Sequence, residues 1–233
     1  MITVIPFDDL GTFENDWLNA HYHFSFADYR DPARMGLGPL RVWNDDTIGS
    51  HTGFEPHPHR DMEIITYVRS GAISHEDSLG NRGVTSAGDV QVMSAGSGVV
   101  HSEKNETDEP TTLFQIWIQT DAANHPPRWE ARKFPSDPVQ GALPVLASGR
   151  VGQDAALMIH QDASVLGGRI DAGDTVRHIL EPGRAAYLVP SLGRIEVNGA
   201  VAEQRAGVTV TDETEIVITA LEAAEVVLVD VAV

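Results

Sequence analysis

Residues 53–105 carry a pair of metal-ligating side chains at each end, and these two pairs limit what the chain can fold into. One end reads His57-Pro58-His59, followed by Arg60-Asp61-Met62-Glu63; the other reads His101-Ser102-Glu103. Side chains two apart on a β-strand point to the same face. Each pair would therefore present two donors side by side, and neighbouring strands would bring all four to one point. Imidazole and carboxylate without thiolate suit divalent iron, manganese, cobalt, nickel, copper or zinc.

A single His-x-His pair carries little weight, because ten histidines in 233 residues give about 0.4 such pairs by chance. His21-Tyr22-His23 is another pair, and with no partner pair beside it we read it as packing and hydrogen bonding. The second pair and the text between raise the stretch above that level. Turn signals at Arg69-Ser70-Gly71-Ala72, Ser78-Leu79-Gly80-Asn81, Ala87-Gly88-Asp89 and Ala95-Gly96-Ser97-Gly98 separate short apolar runs. They predict strands over 62–68, 72–77, 90–94 and 99–104 in an antiparallel meander. Closing that meander would bring its first and last strands together.

The chain before and after this stretch is also written in strands. Residues 2–5 read as a short strand, 40–43 begin another, and 112–119 (TLFQIWIQ) alternate, with Ile116 and Ile118 on one face and Trp117 on the other. Residues 120–138 are polar and carry Pro126, Pro127, Pro135 and Pro138, which marks a linker; His125 within it is expected to be exposed. From about residue 142 short β segments resume at regular spacing, and Asn198-Gly199 is a strong hairpin signal. Here His160 and His178 stand alone. The expected fold is all-β with little helix: a metal-binding barrel over 1–120, a linker over 121–141, and a second barrel without metal over 142–233. That second copy would be structural or would wall one side of the pocket.

Composition excludes several functions. Sixteen basic against 34 acidic residues leave a net charge of −18, and a surface this acidic repels phosphate backbones and anionic membranes. There is no cysteine, hence no disulfide scaffold, thiol nucleophile or thiolate zinc site. No apolar run approaches the roughly 20 residues needed to span a bilayer. The first ten residues contain Pro6, Asp8 and Asp9 and do not read as a signal peptide. A cytoplasmic monomer is expected.

The stretch resembles the cupin signature: Gly53, His57, His59, Glu63 and Gly71 match its first half, and Gly88, Gly96, His101 and Asn105 its second. Ser94 stands where that signature has proline, and the gap from Gly96 to His101 is longer. These departures resemble the pirin family. So do HPHRDME at 57–63, HED at 75–77, MSAG at 93–96, HSE at 101–103, NAHYHFSFADY at 19–29, LRVWND at 40–45, FQIWI at 114–118 and HQD at 160–162. The resemblance implies two double-stranded β-helix (jelly-roll) barrels packed face to face. It also implies His57, His59, His101 and Glu103 as metal ligands, with iron first among the candidate ions, and leaves Glu63 outside the ligand set.

Three imidazoles and one carboxylate against a divalent ion leave two open positions on a six-coordinate metal, as catalysis requires; structural zinc would favour thiolates. The resemblance, closest to bacterial quercetin 2,3-dioxygenases, implies cleavage of a flavonol by dioxygen with release of carbon monoxide. Glu103 is the first choice for the base that takes the flavonol proton, and Glu63 the second. Phe24, Phe26, Met93 and Trp117 are read first as core, with the lining of an aromatic pocket as their alternative role. The competing function is a metal-bound, redox-sensing regulator acting through protein partners; a small-molecule binder or isomerase is a third.

Overall fold

The computed structural model describes residues 1–134 and 136–233, so Pro135 of the expected linker lies outside the described residues. Strands dominate, and the single helical element among the described residues is the turn Phe7–Asp9. The chain forms two barrels of the same plan, each a seven-stranded sheet closed over a four-stranded one. In the first, the large sheet runs in the order Arg128–Arg132, Val90–Ser94, Met62–Ser70, Thr111–Gln119, Leu40–Ile48, Leu18–Tyr22, Gly11–Glu14. Its small sheet runs Thr52–His59, Val99–Asn105, Ala72–Asp77, Arg82–Ser86.

This order corrects the expected meander. Met62–Ser70 pairs with Val90–Ser94 in one sheet, whereas Ala72–Asp77 pairs with Val99–Asn105 in the other. The turn at Gly71 carries the chain from sheet to sheet, because each sheet must bury its apolar face against the other. The strands bearing the two ligand pairs are nonetheless direct neighbours, with His101 opposite His57.

The second barrel repeats the plan, with Arg184–Leu192, Ala224–Ala232 and Ala163–Ile170 central in its large sheet. The hairpin at Asn198-Gly199 is present, both residues having positive φ (47° and 87°) as a two-residue type I′ turn requires. Two segments run across the expected division. Ile2–Ile5 pairs with Gly207–Val210 of the second barrel, and Arg128–Arg132, inside the expected linker, extends the first barrel's large sheet.

The large sheets pack face to face. Trp43, Ile65, Phe114 and Ile116 from one meet Leu146, Val165, Tyr187 and Val229 from the other in a single buried cluster. Each such side chain contributes about 1.5–3 kcal/mol on burial, so this interface has the character of a domain core. Asp45 ties it further: its fully buried carboxylate accepts from Arg69 and from Arg205 Nε at 2.5 Å, the latter from the second barrel. Asp45→Ala would leave two cations without their counter-charge. It is expected to lower unfolding stability by about 3 kcal/mol, at the low end for such pairs because Arg205 keeps 25% of its side chain exposed. Urea denaturation reads this directly.

The two interiors differ in kind. The second barrel is filled by one continuous apolar cluster, from Leu143 and Leu166 through Ile195 and Val208 to Leu228. In the first, two apolar clusters, around Ile48 and Ile73 and around Ile64 and Met93, are accompanied by buried polar groups. These are Asn44, Asp46, Thr66, His75, Gln91, His101, Glu103 and Gln115. Buried polar groups persist where they are hydrogen-bonded or hold a ligand.

Candidate metal centre

The strand Thr52–His59 turns His57 and His59 to the same side, and the adjacent strand adds His101. Ligand nitrogens of the three lie within 4.8 Å of one another; those of His75 and His101 lie within 4.8 Å of each other and of a Glu103 oxygen. A bulge between His101 and Glu103 offsets the pairing by one residue, so that Glu103 stands opposite Phe54. Gly53 makes the approach possible: a Cβ there would sit 2.3 Å from the Glu103 carbonyl oxygen.

Two of the imidazoles are held uncharged, the form that binds metals. Burial, reinforced by the neighbouring His101 and His57, pushes His59 down to about 4. Burial, with His57 and His75 beside it, pushes His101 down to about 3. The Nδ1–H of His57 donates to the Glu55 carbonyl at 2.7 Å, which leaves its Nε2 as a lone pair. That lone pair faces His101 Nε2 at 3.1 Å. Three imidazoles whose ligand atoms lie this close together, with a carboxylate on the same strand as His101, are a donor set that fits a divalent transition ion.

Glu103 is oriented by side-chain amides. Its Oε1 accepts from Gln91 Nε2 at 2.6 Å and Thr66 Oγ1 at 3.2 Å, and its Oε2 from Gln115 Nε2 at 2.8 Å. A carboxylate offers about four lone-pair directions, so one remains. His57, His59, His101 and Glu103 open on a cavity of about 410 Å³, mouth included, walled by Leu18, Tyr22, Phe26, Phe54 and Trp117. No residue of the second barrel lines it, so that barrel does not wall this cavity as one of its two expected roles required.

The other expectations divide. Phe26 and Trp117 do line the cavity, whereas Phe24 packs on Tyr187 between the barrels and Met93 sits in the apolar cluster around Ile64. His23 is buried and bonds the Tyr187 hydroxyl at 2.9 Å, and His21 packs at a tilt against Phe7, both structural roles. Glu63, the second choice for the base, points the wrong way. It shares a strand face with Ile65 and Tyr67 and contacts Ser94 Oγ at 2.6 Å and His160 Nδ1 at 3.0 Å, between the barrels. His125, expected to be exposed, stacks on His160 with ring centroids 4.0 Å apart and pairs with Asp121. His178, solitary in sequence, pairs with Asp230 at 2.7 Å.

Asp46 also lines the cavity, a charged residue not expected there from the sequence. Asp46 is 2% exposed, and burial first, then Asp45 and Glu103, raises its carboxyl well above the usual range. In the metal-free protein the folded state thus holds this proton more tightly than the unfolded chain. Stability is lost as the pH rises above the ordinary value of 3.8. Asp46→Asn is expected to raise the melting temperature near pH 8, by about 2–4 °C per kcal/mol recovered. The gain should vanish as the pH falls toward 4, and calorimetry across that range checks it.

Two jelly-roll barrels, the first enclosing a histidine–glutamate cavity and the second sealed with apolar side chains, define a double cupin with a group that could hold a metal. The chain belongs to the pirin family. The family described as Pirin matches residues 6–118, and the quercetinase C-terminal cupin domain matches residues 145–231. A Pseudomonas aeruginosa protein with a provisional quercetin 2,3-dioxygenase name is 56% identical over 232 residues, covering 100% of both chains. The quercetin 2,3-dioxygenase of Escherichia coli is 38% identical over 231 residues, covering 99% of this chain and 98% of its own. The crystal structure of the E. coli bacterial pirin YhhW in complex with nickel(II) superposes with a TM-score of 0.93. It is 36% identical and covers 100% of this chain and 99% of that one. No helix among the described residues is long and apolar enough to cross a membrane.

Proposed function

We propose that this protein is a metal-dependent dioxygenase that cleaves flavonols such as quercetin with dioxygen and releases carbon monoxide. One divalent transition ion would be held by His57, His59, His101 and Glu103. The observation that carries the reading is the convergence of three imidazoles, two of them Nε2 to Nε2 at 3.1 Å, at the mouth of an aromatic-walled cavity. The quercetin 2,3-dioxygenase names of the relatives support it.

When bound, the ion supplies Lewis acidity toward a substrate hydroxyl. The protein does the rest. Tyr22, Phe26, Phe54 and Trp117 offer apolar faces to a flat aromatic ring system and keep water from it. With the ion on its remaining lone pair, Glu103 would take the hydroxyl proton in place of its longest hydrogen bond, that from Thr66 Oγ1 at 3.2 Å, while Gln91 and Gln115 fix the plane of its carboxylate. His57 and His101 would hold the ion through Nε2, because their Nδ1 atoms are engaged with Glu55 and His75.

Metal analysis of the purified protein, then reloading with iron(II), nickel(II), cobalt(II), manganese(II), copper(II) and zinc(II) and supplying quercetin, tests this. Oxygen uptake matched by carbon monoxide release is expected with at least one ion. Metal bound without turnover for every ion would overturn the enzyme and favour a regulatory protein that reads the oxidation state of its metal.

A further inference from the structure

Behind His101 lies a second row of buried polar groups. His75 stands on the strand Ala72–Asp77 opposite Glu103, and Asp77 stands opposite His101. The His75 ring is fully enclosed and stacks flat on Trp129, with centroids 4.9 Å apart and planes 9° apart. Its Nε2 lies 3.0 Å from Asp77 Oδ2, and its Nδ1 faces His101 Nδ1 at 3.4 Å.

Hydrogen-bond direction propagates through this row. Asp77 is surrounded by donors: the backbone N–H groups of Leu79 and Asn81 on Oδ1, and Asn81 Nδ2 and His75 on Oδ2. Such a carboxylate only accepts, so His75 carries its proton on Nε2. With that one N–H on the ring, His75 Nδ1 is left as an acceptor. His101 must then donate from Nδ1, and its Nε2 is a lone pair aimed at His57.

We propose that Asp77 and His75 are positioning residues that fix His101 in the tautomer offering Nε2 to a divalent cation. This rests on the metal centre proposed above. The row also explains why a flat aromatic side chain, Trp129, covers His75: it holds the ring in the plane that lets both nitrogens bond at once.

Asp77→Asn tests the direction of the row. The asparagine oxygen can still accept from Leu79 and Asn81, but its amide would donate to His75 Nε2 and reverse every bond as far as His101. His75→Phe keeps the stack on Trp129 and removes the acceptor. Nickel(II) affinity, measured on the full chain by chelator competition, is expected to fall about 10–100-fold in each variant. Long-range proton–nitrogen NMR of the histidine rings in the metal-free wild type is expected to show the His101 proton on Nδ1, and it needs no variant to fold. Unchanged nickel affinity in both variants, or a wild-type His101 protonated on Nε2, overturns the assignment while leaving the metal centre standing. Wild-type protein that binds no nickel, or binds it equally after His101→Ala, overturns the metal centre and this inference with it.

Discussion

His101→Ala is expected to bind nickel(II) more than about 100-fold more weakly than the wild type. Losing a residue that merely supports a ligand costs about 10–100-fold, so removing a ligand should exceed that range. His101 has the most to lose among the three imidazoles. Its nitrogens take part in both metal-competent groups of the barrel, and it is 2% exposed where His57 and His59 are half-buried. The rest of the fold should survive, because the large sheets and the cluster between the barrels do not involve this side chain. Chelator competition gives the affinity, and circular dichroism checks that the strands persist. Affinity within threefold of the wild type would remove His101 from the ligand set.

Glu103→Gln is expected to lower quercetin turnover by about 10²–10⁴-fold, the usual contribution of a positioned general base, while some metal is still bound. The substitution keeps size and removes charge, but it also disturbs the amide pairing. Gln91 and Gln115 both donate to this carboxylate, and a glutamine at 103 has one oxygen to satisfy them. Its own NH₂ must therefore face a donor or turn into the cavity. Metal content and single-turnover rate, measured on the same preparation, separate loss of the base from loss of the ion. Flavonol consumption unchanged in a fully loaded variant would contradict the role given to Glu103.

Much of the site was legible because strands have a period of two. His57 with His59 and His101 with Glu103 could be read as same-face pairs from spacing alone, and the structure places their strands side by side. The same rule would also have found His75 with Asp77, a third pair two residues apart. Glu63 was misjudged because the chain turns between it and His59. Asp61 there has φ of 50°, and the next strand enters the other sheet with Glu63 on its outer face. The order of strands was not legible, since jelly-roll pairing joins segments distant in sequence and turn signals report only where a strand ends. Asp45 and Asp46 show the limit from another side. Two adjacent aspartates look alike in sequence, yet alternation sends one to the arginines between the barrels and the other into the cavity. What distinguishes the second barrel is legible only in three dimensions: its interior is mainly apolar, with Asp230 paired to His178 and Arg184, where the first has the row of polar groups around Glu103.

The most direct measurement is a crystal structure of the protein loaded with nickel(II), with the ion located by its anomalous scattering. The account predicts one ion bonded to His57, His59 and His101 through Nε2 and to a Glu103 oxygen, with solvent in its remaining positions and the cavity open before it. An ion held between the barrels at His125 and His160, or one closed off by protein ligands on every side, would contradict it.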